Sequence, residues 1–151
     1  MKNTKILVLI FSLFLITGCS EENKLVVYLK NDGFECMKNV CVKDSNETDS
    51  IKTTTIYDID NTELKVNTEY TSLQNGSMIY NWKDKKITYD YKIINDTFNS
   101  TYDLESYEYT CESDNEDKAY KLAECNIMKD DIQKVIDNFN DVIKNSKYEI
   151  K

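Results

Sequence analysis

Few side chains in this sequence can do covalent or coordination chemistry, and the cysteines carry most of the information. There are five: Cys19, Cys36, Cys41, Cys111 and Cys125. The four after Cys19 allow three pairings, and an even count favours disulfides in an oxidising compartment. Local geometry selects among the pairings. If Lys38-Asn39 is a two-residue turn, Met37 faces Val40, and Cys36 faces Cys41 as the next, closely spaced pair. The expected bridges are therefore Cys36–Cys41 and Cys111–Cys125. A thiolate metal site is the alternative, but Cys-x4-Cys followed much later by Cys-x13-Cys fits no common zinc spacing.

The other chemistry on offer is acidic. Glu112, Asp114, Glu116 and Asp117 could gather a hard cation, and Asp44, Asn46, Thr48 and Asp49 loosely resemble a calcium loop. Both lack the turn glycine and final spacing of an EF-hand, so both read as solvated loop charge and no metal site is assigned. With 27 acidic residues, some carboxylate pairs fall close by chance, and none stands out as a glycosidase acid and base. Eleven tyrosines could stack on sugars from an exposed sheet face. Most alternate in phase with Ile, Leu and Val, which points to strand core instead.

What is missing narrows the chemistry further. The chain has no histidine, and all 19 basic residues are lysine. There is no imidazole base, no Ser-His or Cys-His dyad, and no guanidinium fork for phosphate. Nothing in the sequence asks for a cofactor, and an enzyme is the least favoured class. The formal net charge of −8 opposes binding to nucleic acid and to anionic headgroups. Abundant Lys, Asn, Ile and Tyr with three glycines and no proline also match an AT-rich coding bias.

Cys19 stands apart from the other four. Lys2 and Lys5 precede an apolar run from Ile6 to Ile16, and Thr17-Gly18 then supplies small residues. This is the layout of a secretory signal peptide. The run is too short to span ~30 Å of hydrocarbon, which takes about 20 residues. Ile16-Thr17-Gly18-Cys19 resembles the lipobox of bacterial lipoproteins, a resemblance confined to residues 1–20. It implies cleavage between Gly18 and Cys19, a diacylglycerol on the Cys19 sulfur, and anchoring to the extracytoplasmic face of the cell membrane. Residues 1–18 are then the leader, 19–24 the lipidated cysteine and a short tether, and 25–151 a single domain.

The elements that must position these groups follow from periodicity. Leu25, Tyr28 and Leu29 share a helical face, and Gly33 suits the position just past a helix end, so a short N-terminal helix is expected. Period-2 runs then follow at 51–59, 64–70, 78–82, 87–93, 98–104 and 107–111, separated by Asn, Asp and Gly turn signals. These predict an antiparallel meander with one buried face. Ile132, Val135, Ile136, Phe139, Val142 and Ile143 follow helical spacing, with Asp130 and Gln133 placed as a capping pair. The fold class is α+β: a meander with one face covered by a C-terminal amphipathic helix. Residues 113–126 read equally as loop, strand or short helix, and no internal repeat is evident. The function expected is a non-catalytic binding module for a protein or glycan partner in the envelope or outside the cell. The alternative is an inhibitor or immunity-type lipoprotein that blocks a secreted enzyme.

Overall fold

The computed structural model describes residues 22–46, 48, 50–71 and 73–150. The leader and Cys19 lie outside these residues. A short helix, α1 (Lys24–Asn31), opens the domain. Eight strands follow: β1 (Glu35–Met37), β2 (Val40–Asn46), β3 (Lys52–Asp58), β4 (Glu63–Thr71), β5 (Gln74–Asn81), β6 (Lys86–Ile93), β7 (Asp96–Asp103) and β8 (Glu108–Ser113). A long helix, α2 (Lys118–Ser146), ends it. The strands form one antiparallel sheet in sequence order, β1 to β8. This is the meander expected from the alternating runs, with both helices on one face.

Helix α1 is set by its ends. The Asn23 side chain accepts from the Leu25 amide at 2.9 Å. At the other end Gly33 takes φ 87°, Gly33 N donates to Lys30 O and Phe34 N donates to Leu29 O. Those two bonds form a Schellman motif, which needs the left-handed conformation that glycine adopts without strain. Leu25, Val26 and Leu29 are buried beneath it.

Three rows of side chains cross the covered face. Nearest the Lys38-Asn39 turn run Cys41, Tyr57, Leu64, Tyr80, Ile87, Tyr102 and Tyr109. The next row holds Thr55, Val66, Met78, Tyr89 and Ser100, and the third Ser45, Thr53, Thr68, Gly76, Tyr91 and Phe98. Helix α2 crosses these rows diagonally. Its first turn sets Tyr120 edge-on to Phe98 at 5.9 Å, whereas Phe139 near its end packs on Tyr80 at 5.0 Å and Trp82 at 5.2 Å.

The structure settles the open reading of 113–126 and corrects the expected helix cap. The helix is capped by Asp117, whose carboxylate accepts from Ala119 N at 2.9 Å and Tyr120 N at 3.1 Å, so residues 118–129 are helical. Asp130 and Gln133 lie mid-helix, and Gln133 bonds Asp137 one turn on instead of capping. The reason is continuity of the buried stripe, which runs from Cys125 and Met128 into Ile132, Ile136 and Phe139.

An internal repeat also emerges. Tyr57-Asp58-Ile59, Tyr80-Asn81-Trp82 and Tyr102-Asp103-Leu104 each carry a strand into a four-residue loop. Asp58, Asn81 and Asp103 each cap their own loop through its amides. The fourth loop residues, Thr62, Lys85 and Tyr107, all have φ between 52° and 58°. The loops also join one another: Ile59 N donates to Asn39 O, Trp82 N to Thr62 O and Leu104 N to Lys85 O. Tyr107, read from sequence as part of a strand, is thus an exposed loop residue.

Candidate functional site: a trough between sheet and helix

Because α2 runs diagonally, it leaves one corner of the covered face open. That corner is where β2 to β5 present small residues: Ser45, Thr53 and Thr68 in the third row, with Gly76 beside them. The result is a trough of about 350 Å³ between these residues and the Asp131–Asn138 stretch of α2. An adjoining cavity of about 530 Å³ continues it past Gln74, Tyr91 and Ile93. Tyr70, Tyr89, Asp131 and Lys134 line both. These volumes suit a small ligand or a short segment of a larger one.

Gly76 shapes the floor. A Cβ there would lie 2.9 Å from both Cε2 and the hydroxyl oxygen of Tyr89, so the Tyr89 ring rests where only glycine leaves space. The Tyr70 ring meets Tyr91 edge-on at 6.3 Å, and Gln74 donates to the Tyr91 hydroxyl. Thr53 and Thr68 hydroxyls are 3.4 Å apart across the strands. On the helix side, Lys134 Nζ lies 2.8 Å from Asp131 Oδ1.

The protonation states are set by these surroundings. Burial pushes the Tyr89 phenol well above its ordinary value, and the nearby Tyr70 and Asp131 add to the shift. Burial likewise raises Tyr91, partly offset by the hydrogen bond from Gln74. Hydrogen bonding to Asp131 and its negative charge raise the Lys134 ammonium. At neutral pH the trough therefore offers the protonated Tyr89 and Tyr91 phenols, threonine hydroxyls and the Lys134 ammonium paired with Asp131.

The disulfide cysteines and the acidic clusters singled out from sequence fall elsewhere, whereas Tyr57, Tyr70, Tyr89 and Tyr91 line the trough or its continuation. Cys36 bonds Cys41 with Cα atoms 4.0 Å apart, at the edge of the sheet. Cys111 bonds Cys125 at 5.9 Å, tying β8 to α2, and the Tyr109 hydroxyl donates to Cys125 O beside it. Two disulfides suggest an extracytoplasmic protein. Asp114 accepts from Thr97 N, Asp44 accepts from the Thr54 hydroxyl, and Asp49 lies outside the described residues. Among the described residues no group of three or more acidic or cysteine side chains gathers to hold a metal ion. No helix among them is long and apolar enough to cross a membrane. Tyr57, Tyr80, Tyr89 and Tyr91 are buried on the helix side and not displayed on the open face. The trough itself went unread in the sequence; it forms where the third row carries Ser45, Thr53, Thr68 and Gly76, before Tyr91 and Phe98 restore large side chains. No protein-family model, curated protein or solved structure matches this chain.

Proposed function

We propose that the protein is an exported lipoprotein, lipidated on Cys19, whose domain is a non-catalytic binding module for an envelope or extracellular partner. The trough carries this reading. Its hydroxyls, its phenols and the Asp131–Lys134 pair can hold a polar ligand over an apolar floor. The leader, the lipobox-like residues 16–19 and the two disulfides support export.

A second reading has its own observation. The Cys36–Cys41 staple presents Met37, 81 % exposed, beside Lys38 at φ 54°. A stapled tip with an exposed apolar side chain suits insertion into the cleft of a secreted enzyme, as an inhibitor or immunity protein would use it.

Affinity capture from envelope extract tests both. The purified lipidated chain is compared with Tyr70→Ala and Met37→Asp variants. Loss of the captured partner with Tyr70→Ala alone supports the trough. Loss with Met37→Asp alone supports the hairpin reading and overturns the first. Intact mass of the wild-type chain is expected to show lipid on Cys19; an unmodified mature N-terminus at any other residue would sink the lipoprotein claim.

A further inference from the structure

Two elements wall the cavity of about 530 Å³ that continues the trough. On the sheet side, Tyr89 and Tyr91 stand two residues apart on β6 and so share its covered face. Tyr70, near the end of β4, joins them. The Tyr70 and Tyr91 planes meet at 88° with centroids 6.3 Å apart, and Tyr89 is tilted to Tyr91 at 6.0 Å. Rings set at these angles do not stack on one another and instead line the cavity together. On the helix side, Glu124, Ile127, Met128 and Asp131 have the spacing of one face of α2. The Cys111–Cys125 bridge ties the turn that carries Glu124 to β8.

The charges in this cavity do not balance. Of its lining residues only Glu124, Asp131 and Lys134 are charged, and Lys134 pairs with Asp131 at 2.8 Å. Glu124 is left half-buried and without an ion-pair partner among the described residues. The flanking lysines of α2 are engaged elsewhere: Lys121 Nζ donates to Ser113 O at 3.3 Å, and Lys129 Nζ lies 5.5 Å from the Tyr109 ring centroid. Burial raises the Tyr91 phenol, and the nearby Glu124 charge adds to that rise. A carboxylate drawn out of water without a cation carries an uncompensated desolvation cost. A ligand that enters beside it relieves the cost if it is a cation and adds to it if it is an anion.

The other walls decide which cation. Aromatic faces attract cations, and this chain already sets Lys43 over the Phe34 ring at 5.1 Å. A primary ammonium is a strongly hydrated point charge with three protons to satisfy. The groups around Glu124 are rings and the apolar Ile93, Ile127 and Met128, which replace that water poorly. A hard metal ion needs several oxygen ligands, and among the described residues no three acidic side chains gather. An ammonium carrying methyl groups has its charge behind an apolar shell, so it suits rings, aliphatic side chains and one carboxylate together.

We propose that the cavity between Glu124 and the Tyr70, Tyr89 and Tyr91 rings binds a methylated ammonium group of the choline type. The inference rests on the trough as the domain's binding site and names the chemistry of its second half.

The test is calorimetric titration of the purified lipidated chain, in a detergent without a choline headgroup. The probes are choline, ethanolamine and dimethylbutanol, the neutral carbon isostere of choline. Choline is expected to bind about tenfold more tightly than either of the others, and Glu124→Gln, still folded by urea denaturation, to weaken choline about tenfold. Equal binding of the neutral alcohol would reveal a merely apolar pocket, and tighter binding of ethanolamine a primary-ammonium site; either overturns the proposal. Choline binding that Glu124→Gln leaves unchanged overturns it as well. If no choline binds while Tyr70→Ala still loses the captured partner, the cation is overturned and the trough reading stands. If no choline binds and Tyr70→Ala keeps the partner, both fall.

Discussion

The two ends of the covered sheet face show opposite outcomes of the same strand pattern. At the loop end Tyr57, Tyr80 and Trp82 meet Phe139 in a closed aromatic cluster. At the far end the same strands present Ser45, Thr53, Thr68 and Gly76, and helix α2 passes them by. Both ends alternate with period 2, and both face the helix side. Side-chain volume separates them: large rings fill the space to the helix, while small polar residues leave it open. One end is closed core and the other is an open trough.

The largest test of this contrast is Phe139→Ala. Phe139 is 1 % exposed and touches three aromatic rings, so its loss is expected to cost about 3–5 kcal/mol. Asn140→Ala, on the exposed side of the same helix, should leave the denaturation midpoint within about 0.5 kcal/mol of wild type. Equal midpoints for the two variants would remove the closed end of the comparison.

Next is the staple between β8 and α2. Replacing Cys111 and Cys125 together by serine opens a loop of sequence separation 14, with an expected loss of about 3 kcal/mol. The Cys36–Cys41 pair closes a loop of separation 5, and its removal should cost less, about 2 kcal/mol. Urea denaturation of both double variants checks the order. The reverse order would mean that the hairpin staple, and not the helix staple, holds the fold.

Gly76→Ala probes the boundary between the two ends. The new Cβ would meet the Tyr89 ring at 2.9 Å and force it to shift. An expected loss of about 1–3 kcal/mol goes with a narrower trough. A variant as stable as wild type would show that the ring moves freely and does not form a fixed floor.

Lys134→Ala should change stability little, by under about 1 kcal/mol, since Lys134 is exposed in its pair with Asp131. Captured partner is nevertheless expected to fall in pull-down assays, because Lys134 lines both halves of the trough. Unchanged capture would remove the cation from the binding site.

Much of the scaffold was legible in the residues. Alternation marked the long strands, Gly33 marked the end of α1, and the Lys38-Asn39 turn set the register that places Cys36 opposite Cys41. The start of α2 was obscured because exposed Leu122 and Ile127 interrupt the apolar stripe there. The repeat was obscured because only Tyr, Asx and one apolar residue recur, and the bonds that make the loops alike are mostly from backbone amides. The trough was illegible for another reason. It depends on the diagonal of α2 across the sheet, a tertiary angle that no local pattern of Thr53, Thr68 and Gly76 encodes.

The most direct test of the open end is to close it. Thr68→Trp places an indole into a trough of about 350 Å³, while the Phe139 cluster lies at the other end of the face. Capture from envelope extract and urea midpoint are measured on the same preparation. The expected result is a midpoint close to wild type with the captured partner lost. Full capture by a folded Thr68→Trp chain would contradict the claim that this corner of the sheet is the binding site.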